Sequence, residues 1–130
     1  WCARIFHTEW PEAQKVNGIT PEMVAGAPYP HELLPQLVEI FSEMSVCIGY
    51  NTSFDLGFLD RIGIPTEHLT VIDVMQMFVD YLNANGGTRR RASLSTCTKH
   101  FDYQWEGAAH NSLADAKATL YCYNMMKIIK

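Results

Sequence analysis

Two short segments hold the side chains best suited to chemistry. The first is Tyr50-Asn51-Thr52-Ser53-Phe54-Asp55, at the exit of the mostly apolar run Ser45–Tyr50. The second is His110-Asn111-Ser112-Leu113-Ala114-Asp115, sixty positions further on. Carboxylates are hard oxygen donors for divalent cations, and imidazole moves protons near neutral pH. The spacing of His110 and Asp115 sets their placement. Five residues turn about 500°, which is about 140° around a regular helix, so the two cannot share one helical face. His110 is therefore expected on the loop before the last helix and Asp115 on its first turn, where both can aim at one point. Each acid alone has a plainer reading. Thr52-x-x-Asp55 and Ser112-x-x-Asp115 both have the form of a capping box, and an acid in a first turn suits the helix dipole. A lone loop histidine is likewise more often hydrogen-bonded than catalytic.

The surrounding pattern supplies elements that would position these groups. Trp1–Phe6 reads as a short strand and His7–Gly18 as a loop broken by Trp10-Pro11. Thr20 caps a short helix with Pro21 at its first position. Leu34, Leu37, Val38, Phe41 and Met44 recur at helical spacing, so a helix runs to about Glu43, with Pro35 in its first turn. Ser45–Tyr50 fits a buried strand. A helix follows over about Ser53–Arg61, ended by Gly63 and Pro65. Val71-Ile72 is a brief strand, and Asp73 caps a helix over Val74–Leu82. Ser93 caps another, with Leu94, Cys97 and Phe101 on one face. The last covers Ser112–Ile129, with Leu113, Ala116, Leu120 and Tyr123 on its apolar side. Strands alternating with helices indicate an α/β domain, with no linker and no repeat across residues 1–130.

Composition narrows the class. A chain of 130 residues that is 48% hydrophobic and 18% charged can bury a core and is not intrinsically disordered. No apolar run approaches the roughly 18 residues of a membrane span, and Trp1–Phe6 lacks the pattern of a signal peptide. The net charge of −4 excludes binding of nucleic acid by bulk positive charge, but leaves room for a metal-dependent nuclease whose cations offset site carboxylates. Cys2, Cys47, Cys97 and Cys122 form no C-x-x-C pair, so free thiols in a reducing cytoplasm are expected.

The two segments together resemble the DEDDh family of 3′-to-5′ exonucleases, which includes the proofreading epsilon subunit of bacterial replicative polymerase. Gly49–Asp55 is similar to the family's second acidic motif, with Tyr50 where His is frequent. His110–Asp115 matches its third. Val16–Val24 resembles the segment before its first helix, with Asn17-Gly18-Ile19 in place of the usual His-Gly-Ile. The resemblance implies an RNase H-like mixed sheet flanked by helices. It also implies two Mg²⁺ or Mn²⁺ ions about 4 Å apart on the scissile phosphate. Asp115 would hold the ion carrying the attacking water, Asp55 the second ion through waters, and His110 would be the general base. The implied substrate is a single-stranded DNA 3′ end, and a DNA polymerase subunit is an expected partner.

One departure bears on activity. None of the six aspartates is followed by Glu two residues on, so the family's first motif, Asp-x-Glu on the opening strand, is absent. The expectation is a domain that begins inside a later strand, weakly active or inactive, with an apolar sheet edge prone to association. The alternatives are a non-catalytic binding or scaffold domain that keeps the fold, and an exonuclease of the same family directed at RNA. Remaining candidate nucleic-acid contacts are Asn17, Gly18 and Ile19, where glycine lets backbone approach and isoleucine can pack on a base; Tyr50 and Asn51 at the strand exit; and Arg89 and Arg90 within Arg89-Arg90-Arg91. Phe54, Phe58, Met125, Met126, Ile128 and Ile129 are expected in the core.

Overall fold

The computed structural model describes Pro11, Glu12, Lys15 and residues 20–106 and 111–129. The strand expected at Trp1–Phe6, the contacts expected of Asn17, Gly18 and Ile19, the thiol of Cys2 and the placement of His110 lie outside the described residues. The elements run α1 (Pro21–Val24), α2 (Pro30–Glu43), β1 (Val46–Gly49), α3 (Thr52–Arg61), β2 (Thr70–Asp73), α4 (Val74–Ala84), α5 (Leu94–His100) and α6 (Ser112–Ile129). Among the described residues the sheet is two parallel strands, β1 and β2, in the register Val46–Thr70 to Gly49–Asp73. Parallel strands need a crossover, and α3 supplies it. No helix among the described residues is long and apolar enough to cross a membrane.

Local chemistry accounts for the boundaries. Thr20 accepts from the Met23 N–H at 3.3 Å, and Pro21 opens α1. Glu32 reaches back to the Tyr29 N–H at 2.7 Å and fixes the start of α2 at Pro30. This start places Pro35 inside α2 instead of in its first turn. Pro35 lies on an exposed face, where solvent can satisfy the carbonyl that its missing N–H leaves unbonded. Gly63, at φ +87°, takes the left-handed turn that ends the α3 region. Asp73 and Ser93 cap α4 and α5 as the sequence indicates. Pro11, Glu12 and Lys15 are helical rather than looped, and Lys15 pairs with Glu12 at 3.1 Å across one turn.

The core lies between α4, α5 and α6. Phe78 is fully buried, with ring centroids 5.5 Å from His100 and 5.9 Å from Phe101. Cys97 and Cys122 are buried in the same cluster and, like half-buried Cys47, are free thiols. The Tyr121 hydroxyl donates to the Phe101 carbonyl at 3.0 Å and ties α6 to the end of α5.

Three expected core assignments change. α6 buries Ala114, Ala118, Cys122 and Met126, at spacings of four, while Leu113 is 64% exposed and Leu120 49%. Small side chains let the helix come close to its neighbours, so closeness of approach selects the face rather than side-chain bulk. Phe54 and Phe58 stand exposed on the outer side of α3, and Ile128 is exposed near the end of α6. β1 is not buried on both faces, since Val46 and Ile48 remain open to solvent and β2 is the strand's one neighbour among the described residues.

Because Phe78 fills the centre of this cluster, Phe78→Ala should cost about 3–5 kcal/mol of stability. Urea unfolding followed by circular dichroism measures it, and an unchanged midpoint would place the core elsewhere.

Candidate functional site

The ends of β1 and β2 and the starts of α3 and α6 form the candidate site. Gly49, the last residue of β1, packs against Thr52 so closely that a Cβ on Gly49 would lie 2.8 Å from the Thr52 methyl. Thr52 is itself buried. Glycine here therefore lets the first turn of α3 sit directly on the strand end. Between them, Asn51 adopts the left-handed conformation (φ 59°, ψ 55°), which asparagine tolerates better than most residues. Its N–H donates to Asp73 Oδ1 at 2.9 Å, and the same oxygen accepts the Met75 N–H at 3.0 Å. Asp73 thus caps α4 and also pins the turn that leads to Asp55. The sequence shows the first role through an acid ahead of an apolar helix; the second joins residues 22 apart and has no local signal.

Both acids escape the capping boxes suggested by their spacing. Asn51 is the N-cap of α3, so Asp55 is the fourth helical residue and Phe54 holds the third position. Asn111 caps α6, its side-chain oxygen accepting from the N–H groups of Leu113 at 3.2 Å and Ala114 at 3.3 Å. Asp115 is therefore the fourth residue of α6 rather than the third. In each case the cap sits one residue earlier than the Ser/Thr pattern implies.

Asp55 and Asp115 line one cavity of about 460 Å³. Its other walls are Ile48, Gly49 and Tyr50 from the strand exit, Leu94, and Ser112, Ala116 and Thr119 of α6. Thr119 donates its hydroxyl to the Asp115 carbonyl at 2.8 Å, holding the first turns of α6 beside the cavity. Loss of solvation, then the negative charge of Asp73, raises the Asp55 carboxyl above the ordinary aspartate range. Burial, then the charge of Asp55, keeps the Cys47 thiol protonated. Tyr50 is half-buried, and its hydroxyl donates to the Ala92 carbonyl at 2.6 Å; burial is the main reason its pKa is raised. Arg89 and Arg90 are exposed on the loop before α5.

The donor set suits a hard divalent cation. Mg²⁺ is commonly held by one or two carboxylates, with water completing its shell. Among the described residues, no cluster of three or more His, Cys, Asp or Glu side chains suited to a metal forms around the two acids.

With this geometry established, sequence comparison defines the class. Residues 8–123 match the RNase T-type exonuclease family, and the chain belongs to it. That membership carries the RNase H-like fold. The chain is also similar to DNA polymerase III subunit epsilon of Pasteurella multocida, 34% identical over 74 residues, which are 52% of this chain and 29% of that protein. It is similar to the PolC-type DNA polymerase III of Halalkalibacterium halodurans, 28% identical over 109 residues, 81% of this chain and 7% of that protein. The chain thus spans less than a third of the length of either relative.

Two measurements test the site's electrostatics and its brace. A raised folded-state pKa means that the folded state favours protonated Asp55. The associated stability is complete below the unfolded pKa and is lost as pH rises through the folded one. Asp55→Asn should therefore raise the melting temperature at pH 7, with the gain vanishing below about pH 3.5; a lower melting temperature at pH 7 would contradict the assignment. Asp73→Ala leaves the Asn51 and Met75 N–H groups unbonded and should cost about 1–3 kcal/mol, whereas Asp73→Asn keeps an acceptor oxygen and should cost less. Denaturant titration compares the two, and equal losses would remove the brace.

Proposed function

We propose that this chain is the catalytic region of a metal-dependent 3′-to-5′ exonuclease acting on single-stranded DNA ends, of the kind that proofreads or repairs DNA. The observation that carries this reading is the meeting of Asp55 and Asp115 at one cavity, from helices that start sixty residues apart. Family membership supports the reaction class. The names of both relatives, each a DNA polymerase III component, support DNA as substrate and a polymerase as partner.

In this reading Asp55 and Asp115 would hold Mg²⁺ or Mn²⁺, which would supply positive charge against the scissile phosphate and lower the pKa of the attacking water. His110, one residue before the Asn111 cap, takes the proton that this water gives up. An unperturbed imidazole titrates close enough to neutrality to do so. The water oxygen bonds to phosphorus, the P–O3′ bond breaks, and the 3′ oxygen leaves and gains a proton. The product is a nucleoside 5′-monophosphate and a strand shorter by one residue. Asn17, Gly18, Ile19, Tyr50 and Asn51 are assigned to the terminal nucleotides, Tyr50 through the part of its ring that lines the cavity, since its hydroxyl is engaged by Ala92.

The test is digestion of a 5′-labelled single-stranded oligonucleotide with Mg²⁺ or Mn²⁺. The expected result is a weak ladder shortening from the 3′ end, since no Asp-x-Glu completes the set of acids in this sequence. It should be lost with chelator and in Asp115→Asn. A matched RNA digested faster than DNA would move the substrate to RNA. Oligonucleotide binding without cleavage under every metal condition would favour the scaffold alternative.

A further inference from the structure

The loop between α4 and α5 is built more firmly than an exposed basic run requires. Arg89, Arg90 and Arg91 are all exposed in a chain of net charge −4, and among the described residues none of them joins an ion pair. Their backbone is fixed at two places. The Asn83 side chain clamps Arg89 by donating from Nδ2 to its carbonyl and accepting from its N–H with Oδ1, both at 2.8 Å. Gly87 closes the turn with its N–H on the Leu82 carbonyl at 3.2 Å, where a Cβ would approach that oxygen to 2.9 Å. The second anchor joins the loop to the site: Ala92, next in sequence to Arg91, is buried and accepts the Tyr50 hydroxyl at 2.6 Å. Two residues later Leu94 lines the cavity shared by Asp55 and Asp115. Leu94 is three positions on from Arg91, so the chain between them spans at most about 10 Å.

We propose that Arg89–Arg91 form a docking strip for the phosphate backbone of single-stranded nucleic acid whose 3′ end lies in the Asp55–Asp115 cavity. The inference rests on the exonuclease reading and adds the route by which the strand leaves the site. Guanidinium is the natural partner of a phosphodiester, since its planar fork can bond two oxygens. Charges serving only solubility need neither the Asn83 clamp nor the Tyr50 anchor. Phosphate readout benefits from both, because a loop whose backbone is already fixed loses less freedom on binding.

The experiment is fluorescence anisotropy of a labelled twelve-residue oligothymidylate with the full chain in EDTA, so that cleavage plays no part. Wild type is compared with the triple variant Arg89→Ala/Arg90→Ala/Arg91→Ala, with the corresponding triple lysine variant and with Arg90→Glu, each checked by its melting curve. Binding should weaken at least about tenfold in the alanine variant at 0.1 M salt. The slope of log affinity against log salt should fall by about 2, as expected for three lost contacts at about 0.7 each. The lysine variant should recover most of the slope, and Arg90→Glu should bind more weakly than wild type. Wild-type affinity and slope in both the alanine variant and Arg90→Glu would overturn the strip while leaving the exonuclease reading intact. Were an acidic protein surface the partner, oligonucleotide binding would likewise be indifferent to these arginines. Failure of wild type to bind the oligonucleotide at any salt would overturn the strip, while the exonuclease reading is decided separately by digestion with Mg²⁺ or Mn²⁺.

Discussion

The site depends on one carboxylate oxygen. Asp73 Oδ1 takes the N–H of Asn51 from the β1–α3 turn and the N–H of Met75 from the first turn of α4. The parallel register sets Gly49 opposite Asp73, so this bond closes the end of the sheet. An unpaired N–H in a half-buried, left-handed turn would be costly, and the bond removes that cost. The direction of α3 follows, and Asp55 goes with it. The same bond brings two negative charges near each other, and Asp73 helps to hold Asp55 above its ordinary pKa. A site that concentrates acids in this way opposes stability and suits a counter-cation.

The opposite wall obeys a different constraint. α6 turns its small residues Ala114, Ala118 and Cys122 inward and so lies close to the core. Asp115 then falls beside the cavity, with Ser112, Ala116 and Thr119 on the same wall. Tyr50 connects the two regions, since its ring packs against the core cluster while its hydroxyl fixes the segment before α5. Packing and site geometry are therefore coupled through the same few residues.

Much of this arrangement is legible in the sequence because its causes are local. Thr20, Asp73 and Ser93 cap helices where their types and neighbours indicate, and the two acidic segments stand at the starts of helices. Side chains whose partners are distant are harder to read. Apolar bulk suggests Leu113 and Leu120 as the buried face of α6, but the helix turns Ala114, Ala118, Cys122 and Met126 inward instead. Phe54 and Phe58 likewise stand exposed despite their apolar bulk. The capping boxes misplace the helix starts by one residue because Asn51 and Asn111, rather than the following Thr and Ser, take the cap positions. The Asp73–Asn51 bond, which joins the end of β2 to the turn after β1, leaves no trace in either segment.

The central claim is that Asp55 and Asp115 bind a divalent cation together. Paramagnetic broadening by Mn²⁺, followed on the assigned backbone amides of the protein, tests it directly. Substoichiometric Mn²⁺ should broaden residues around Gly49–Asp55 and Ser112–Thr119 first, and the double substitution Asp55→Asn/Asp115→Asn should abolish that selectivity. Broadening confined to one of the two segments, or unchanged in the double variant, would show that the carboxylates act separately and would contradict the account.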